Sequence, residues 1–211
     1  MSAKPIILVT GFEPFDGDAI NPSQDIVRRL HGRVIAGRPI VGGVLPCVFG
    51  SARRQLARLL KEARPELVIC LGLAGGRDGL SLERVALNVD DARIPDNAGF
   101  LPVDQPIVRG GPVAYWTGLP IKAIVDALRA RGLPAHVSQT AGTFVCNHVF
   151  YALMHRLRRL KGVRGGFIHV PWLPAQAPPG QPCLPLETMV EGIEIAVRVS
   201  LSSRRRRKPA H

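Results

Sequence analysis

The sequence predicts an α/β protein: a single-domain three-layer α/β/α sandwich with a mostly parallel, mixed central sheet. Short apolar runs alternate with segments that repeat apolar residues at helical spacing from one end of the chain to the other. This alternation is the pattern of strands joined by crossover helices. The 211 residues contain no internal repeat and no linker, and this length suits one globular domain.

In the first half of the chain, apolar runs rich in β-branched residues predict strands, and a helical apolar period predicts helices. The strands are expected at residues 6–10, 34–35, 40–45, 67–73 and 85–89, and the helices at 24–30 and 52–63. Asn21 followed by Pro22 is the N-cap and first-turn proline typical of a helix start, and Pro65 ends the second helix. Residues 85–89 alternate apolar and polar side chains, so this strand is expected to be half exposed.

A long irregular segment, residues 91–120, follows these elements. It is interrupted repeatedly by Pro and Gly, and long loops in compact domains are often functional. Beyond it, helices are expected at residues 121–128, 150–160 and 190–201, and strands at 135–138 and 166–170. Ligands of such sheets bind where strands end, so functional residues are expected at the carboxyl ends of strands.

The formal charge of +12 is concentrated in part at the C-terminus. Residues 204–208 contribute five positive charges, so we expect a folded domain over residues 1–203 and a basic, disordered tail over residues 204–211. A protein that binds anionic surfaces or nucleic acid is the alternative function that this charge supports. No base-reading helix or aromatic stacking motif accompanies the tail, so nucleic acid is not the expected partner.

Hydrophobicity and cysteine content bear on whether the chain is a membrane, exported, disulfide-bonded or metal-binding protein. The chain has no apolar run of the roughly 18 residues that a membrane span needs and no apolar start typical of an export signal, so we expect a cytoplasmic protein without a membrane partner. Its four cysteines include no Cys-x-x-Cys pair. We therefore expect reduced thiols and no metal site.

Cys146 differs from the other cysteines in its setting. It follows a glycine-bearing turn and precedes a predicted helix, where the helix dipole and unpaired N–H groups favour the nucleophilic thiolate. A packed, inert cysteine is the alternative. His148 would point about 200° away from Cys146 on a helix. His169, at the carboxyl end of a strand, is the better candidate base, unless it is an ordinary strand-end histidine.

A carboxylate that orients the histidine would complete a catalytic arrangement. Four candidates, Glu83, Asp90, Asp91 and Asp96, lie in one stretch beside a glycine-rich turn, and we expect Glu83 to open a strand. Spacing does not choose among them. The glycines at 72–76 lack the spacing of a dinucleotide fingerprint or a phosphate loop, so a nucleotide is not expected.

Five motifs occur together in one order. They are TGFEPF at 10–15 with NPS at 21–23, AGGR at 74–77 with ERVA at 83–86, NVDDARIPDN at 88–97, GTFVCN at 142–147 and HVP at 169–171. Together they resemble the pyroglutamyl peptidase I family, also called the pyrrolidone-carboxylate peptidases, from about residue 6 to about residue 200. The basic tail is not a feature of that family.

The resemblance implies a cysteine exopeptidase that removes an N-terminal pyroglutamyl (5-oxoprolyl) residue from peptides through a thioester acyl-enzyme. By motif, it implies the catalytic triad Glu83, Cys146 and His169, and it selects Glu83 where spacing did not. It also implies that the enzyme uses no metal or cofactor, and that the chain assembles as a homotetramer.

The resemblance further implies a flat, apolar pocket for the neutral lactam ring. Its residues would be Phe12, Phe15, Asn21, Leu73, Arg93, Ile94, Phe144 and Val145. Asn21 and the backbone at Leu73 would bind the lactam N–H and C=O, and the region of Arg93 would help the Cys146 N–H to stabilise the oxyanion. Ordinary core packing is the alternative for the phenylalanines. Leu73 stands where the family usually has Gln, and Trp172 also differs from the commonest residue.

Overall fold

A mixed central sheet organises the computed structural model, which describes residues 5–203; the predicted tail over 204–211 lies outside the described residues. The strands, in chain order, are β1 (Ile7–Phe12), β2 (Val34–Ile35), β3 (Arg38–Leu45), β4 (Leu67–Leu73), β5 (Leu80–Glu83), β6 (Val85–Leu87), β7 (Ala114–Trp116), β8 (Ala135–Ser138) and β9 (Arg164–Val170). Seven of them form one sheet in the order β2-β3-β1-β4-β9-β5-β8. Strands β2 and β5 run antiparallel to their neighbours β3 and β9, and the other pairs are parallel.

Helices cover both faces of the sheet. They are α1 (Pro22–Leu30), α2 (Phe49–Ala63), α3 (Ile121–Arg129), α4 (Val145–Leu157) and α5 (Leu186–Ser202). Helices α1, α3 and α5 pack on one face over one apolar core, and α2 and α4 pack on the other face over a second. The predicted mostly parallel α/β fold with helices on both faces is therefore confirmed. None of the helices within residues 5–203 is long and apolar enough to cross a membrane.

Local sequence explains where the first helix starts. The side chain of Asn21 accepts a hydrogen bond from the backbone N–H of Ser23, and Pro22 occupies the first turn of α1, as the sequence predicts. Helix α2 ends at Ala63, and Arg64 adopts a left-handed conformation before Pro65. Helix α4 begins at Val145 rather than at residue 150, so Cys146 lies within its first turn.

The region around residues 80–89 differs from the prediction. Strand β5 was not expected, and Glu83 ends it instead of opening the next strand. Ser81 and Glu83 are polar but fully buried, because β5 lies between β9 and β8 in the main sheet. The expected strand over 85–89 is shorter, and β6 forms a separate two-stranded sheet with β7, which lies within the long segment over residues 91–120.

Candidate active site

At the carboxyl edge of the sheet, between β1 and β4, the reversal of strand order marks the position where α/β sheets form a crevice. Strand β1 lies between β3 and β4, and the helices that follow β1 and β3 lie on opposite faces of the sheet. The pairing of β1 with β4 ends at Thr10 and Cys70, although both strands continue beyond these residues. Crevices of this kind, where the strand order reverses, are the usual ligand sites of α/β sheets.

Cys146 lies above this edge, on the face covered by α2 and α4. It is the second residue of α4, and its Sγ atom would lie only 2.7 Å from a Cβ placed on Gly72 of β4. The same hypothetical Cβ would lie 2.9 Å from the ring of Phe167. A side chain at position 72 would therefore occupy the space of the thiol, and glycine leaves that space open.

His169 is held by a buried carboxylate. Its Nδ1 lies 2.7 Å from Oε1 of Glu83, and both side chains are almost fully buried. Arg77 Nη1 donates to the same Oε1 at 2.7 Å. Because an ionised carboxylate only accepts, Nδ1 of His169 carries the proton and Nε2 is free to act as a base.

The sheet register brings Cys146 and His169 together. Gly72 and His169 are register partners in the parallel pair β4 and β9. Register partners in neighbouring parallel strands lie about 4.8 Å apart and point to the same face. The sulfur above Gly72 therefore has the His169 imidazole beside it, with Glu83 on the next strand, β5.

Burial dominates the electrostatics of these groups. Burial raises the pKa of Cys146 well above its usual value, with further upward contributions from Cys47 and Glu83. Burial therefore acts against the ionisation of Cys146 that the helix start favours. Burial also lowers the pKa of His169, although Glu83 acts in the opposite direction. At rest, the pair is therefore a thiol beside a neutral imidazole.

Glu83 remains ionised despite its burial. Burial raises the pKa of this carboxyl, but the hydrogen bond and charge of His169 and the hydrogen bonds of Ser138 and Arg77 outweigh burial, so the net shift is downward. Arg77 belongs to the AGGR motif, but sequence analysis assigned it no role. No local pattern could have shown that the turn after β4 brings its guanidinium to a strand two positions away.

The first turn of α4 offers free backbone donors beside the thiol. Phe144 is the N-cap residue and its side chain makes no capping hydrogen bond. The first N–H of the helix with an acceptor is that of His148, which donates to the Phe144 carbonyl. Within residues 5–203, the N–H groups of residues 145–147 have no acceptor, so they can bind a developing negative charge.

Aromatic rings line the same face next to Cys146. The rings of Phe15 and Phe144 lie 6.0 Å apart, and Phe12 lies 6.5 Å from Phe167. Phe49, which sequence analysis did not select, contacts Phe144 edge to face at 5.4 Å. Its position at the start of α2 gave no signal of this contact.

The remaining predicted pocket residues have varied surroundings. Asn21 is buried, and its amide is used by the α1 cap and by a hydrogen bond from Nδ2 to the Glu13 carbonyl. Leu73 ends β4 at the crevice, and Val145 is fully buried in the core. Ile94 is partly buried, whereas Arg93 is exposed and has no hydrogen-bond or ion-pair partner within residues 5–203.

The neighbouring carboxylates have other partners. Asp90 Oδ2 lies 2.8 Å from Nδ1 of the buried His148, and Asp96 accepts hydrogen bonds from three backbone N–H groups. Asn147 makes three hydrogen bonds to the backbone of Leu87 and Val89. The consecutive residues 147 and 148 thus fasten the turn that carries Cys146 to the segment after β6. Sequence analysis missed this role for both of them.

The other cysteines have no such setting. Burial raises the pKa of both Cys47 and Cys70 to about 12, so these thiols resist ionisation. Cys183 is partly exposed and lies in the loop before α5. Among residues 5–203, no group of three or more His, Cys, Asp or Glu side chains is arranged to hold a metal ion.

Comparison with known proteins identifies the family of this chain. The sequence profile of the family described as pyroglutamyl peptidase matches residues 5–203. The chain belongs to the pyroglutamyl peptidase family. It is therefore a cysteine peptidase, a hydrolase that acts on pyroglutamyl peptides.

Similar proteins cover almost the whole of this pyroglutamyl peptidase. It is 59% identical to a pyrrolidone-carboxylate peptidase of Klebsiella pneumoniae over 197 aligned residues. These residues make up 92% of each of the two chains. A crystal structure of pyroglutamyl peptidase I from Bacillus amyloliquefaciens matches with a TM-score of 0.91 at 45% identity and covers 94% of this chain and 98% of that one. A variant of pyrrolidone carboxyl peptidase from Pyrococcus furiosus matches with a TM-score of 0.91 at 42% identity, covering 94% and 99%.

Proposed function

We propose that this pyroglutamyl peptidase cleaves the amide bond after an N-terminal pyroglutamyl residue with a Cys146–His169–Glu83 triad, through a thioester intermediate. The observation that carries the proposal is the position of Cys146 Sγ above Gly72, the register partner of His169. The hydrogen bond from His169 to Glu83 supports the assignment of the third member.

Acylation starts from a thiol and a neutral imidazole. His169 Nε2 takes the proton of Cys146 as the sulfur attacks the pyroglutamyl carbonyl, so charge separates only when substrate is bound. The carbonyl oxygen becomes an oxyanion, which the free N–H groups of residues 145–147 stabilise. His169 then gives its proton to the leaving amine, the C–N bond breaks, and a pyroglutamyl thioester of Cys146 remains.

Deacylation reverses the roles of the same groups. His169, neutral again, removes a proton from a water molecule that attacks the thioester carbonyl. The C–S bond breaks, the thiolate takes the proton back from His169, and free pyroglutamate leaves. Glu83 stabilises the transient imidazolium in both halves, and Arg77 keeps Glu83 ionised.

The lactam ring fits the apolar part of the crevice. Pyroglutamate has no charged amino group, so the ring needs no carboxylate. The partly exposed rings of Phe15 and Phe144 provide apolar contact, whereas Phe12 is buried in the core beneath this face. Backbone groups of β4 beyond Cys70 do not pair with β1, which leaves groups near Leu73 available to the lactam. Asn21 keeps one amide N–H beyond the hydrogen bond that it donates to Glu13.

A fluorogenic amide assay tests this function. Under reducing conditions, the protein should release the fluorophore from a pyroglutamyl amide but not from the matching glutaminyl or prolyl amide. The glutaminyl amide is open-chain, and the ring of the prolyl amide lacks the lactam carbonyl. Both compounds present a charged amine to an apolar pocket. Failure to cleave the pyroglutamyl amide would falsify the proposal.

Two cysteine variants identify the nucleophile. Cys146→Ala should abolish release of the fluorophore, because no other thiol lies above Gly72. Cys70→Ala is the matched control. Cys70 is buried in β4, the strand that also contains Gly72, and burial raises the pKa of its thiol, so this variant should keep its activity. Equal loss of activity in two folded variants would contradict the assignment of Cys146 as the sole nucleophile.

A further inference from the structure

The positions proposed for the lactam ring, the attacked carbonyl and the leaving nitrogen define the direction in which a substrate crosses the edge of the sheet. This inference rests on the proposed function. In the proposed mechanism the lactam lies next to Phe15, just beyond the end of β1, the attacked carbonyl lies at Cys146 above β4, and the leaving nitrogen takes its proton from His169 on β9. These strands are consecutive neighbours in the sheet. The residue that follows pyroglutamate must therefore lie at the carboxyl end of β9.

Trp172 is the aromatic residue at that end. It comes two residues after the last residue of β9, and its indole lies against the exposed Gly75. A Cβ placed on Gly75 would lie 2.1 Å from Cζ2 and 2.8 Å from Cη2 of Trp172. The benzene half of the indole thus lies directly on the turn that follows β4, and the side chain remains partly exposed.

The surrounding backbone holds Trp172 at the rim of the crevice. The Trp172 carbonyl accepts a hydrogen bond from Leu184 N, and the Ala74 N–H next to Gly75 donates to the Val170 carbonyl. Farther along, Gln176 Nε2 donates to the Ile20 carbonyl at 3.0 Å, which connects this segment to the loop after Phe15. The indole is consequently a fixed apolar surface that a substrate meets without reordering the chain.

We propose that Trp172 contacts the residue that follows pyroglutamate and makes the enzyme prefer peptides with an aromatic or large apolar side chain there. Aromatic pairs contribute about 0.5–1.5 kcal/mol beyond the area that they bury, which corresponds to roughly threefold to tenfold in kcat/KM. The turn under Trp172 also carries Arg77, which donates a hydrogen bond to Glu83. If Trp172 only supported this turn, its loss would lower kcat/KM for every substrate by the same factor.

The kinetic test uses pyroglutamyl-phenylalanine amide and pyroglutamyl-alanine amide. Wild-type enzyme should cleave the phenylalanine substrate with a kcat/KM about threefold to tenfold higher. Trp172→Ala should remove this difference by slowing the phenylalanine substrate alone, and Trp172→Tyr should retain most of it. Trp116→Ala is the matched control, because Trp116 is the other tryptophan of the chain and is 70% exposed on β7.

A binding measurement keeps the test independent of folding losses in Trp172→Ala. In a Cys146→Ala, Trp116→Phe variant, Trp172 is the only tryptophan, and its emission should shift with the phenylalanine amide more than with the alanine amide. Equal kinetic losses for both amides together with an unchanged emission would overturn the proposal. If wild-type enzyme cleaved neither amide, the proposed function itself would fail instead.

Discussion

Gly72 gives the sharpest test of how the proposed nucleophile, Cys146, is accommodated. Its backbone does not have a positive φ, so alanine is conformationally permitted there and only space opposes it. The added methyl group would lie 2.7 Å from Cys146 Sγ and 2.9 Å from the Phe167 ring. Both neighbours are confined, since the sulfur belongs to the first turn of α4 and Phe167 is fully buried.

The size of the effect follows from these distances. Non-bonded heavy atoms settle about 3.5–4.0 Å apart, so the sulfur must move by roughly 1 Å. A misplacement of about 1 Å can reduce a rate about 10²-fold, or about 2.7 kcal/mol in activation free energy. We therefore expect Gly72→Ala to lower kcat/KM for a pyroglutamyl amide about 100-fold. Overpacking should also lower the free energy of unfolding by about 1–3 kcal/mol.

Gly43→Ala separates displacement of the thiol from general overpacking. Gly43 lies in β3 of the same sheet, and a Cβ there would lie 2.5 Å from Cδ1 of Leu59, the far end of a flexible side chain. Its activity should stay close to that of wild type, and alkylation of Cys146 by iodoacetamide should slow only in Gly72→Ala. A Gly72→Ala enzyme within threefold of wild-type activity would refute the reasoning.

Three further predictions concern groups around the triad. Burial lowers the pKa of His169, and the positive charge of Arg77 lowers it further. Arg77→Gln should therefore raise this pKa and move the acidic limb of the pH profile of kcat/KM to higher pH. An acidic limb at the wild-type pH would contradict this prediction. Glu83→Gln keeps the side-chain shape but removes the charge that stabilises the imidazolium. Steady-state kinetics should therefore show kcat reduced by about 10³-fold or more with little change in KM. A loss of kcat below tenfold would contradict the proposed triad. Asn147→Ala leaves buried backbone groups without partners and should lower the free energy of unfolding by about 3 kcal/mol in urea; a loss below about 1 kcal/mol would show that these bonds are replaced.

Most of the fold could be predicted because local patterns are strong where one face of an element is buried. The apolar run at β4 and the N-cap at Asn21 both lie where expected. Strand β5 escaped prediction because Ser81 and Glu83 are polar residues that the tertiary structure buries. Their partners, His136 and His169, lie on strands far along the chain, and no local window contains them.

The protonation state of the proposed nucleophile, Cys146, could not be inferred from its position in the sequence. A cysteine at a helix start is expected to ionise readily, and Cys146 does lie in the first turn of α4. Its pKa nevertheless rises, because packing against Gly72 and the surrounding apolar core shields the partly exposed residue from water. Desolvation depends on atoms contributed by several elements, so it appears only in the folded chain.

The residues alone established the α/β class, the motifs of the pyroglutamyl peptidase family and a candidate nucleophile, since these depend on patterns along the chain. Spacing left open which carboxylate meets which histidine, and the family motifs pointed only to Glu83; the tertiary structure pairs Glu83 with His169 and Asp90 with His148. Both pairs join residues more than fifty positions apart. Strand order and register determine such pairings, and they are properties of the assembled sheet.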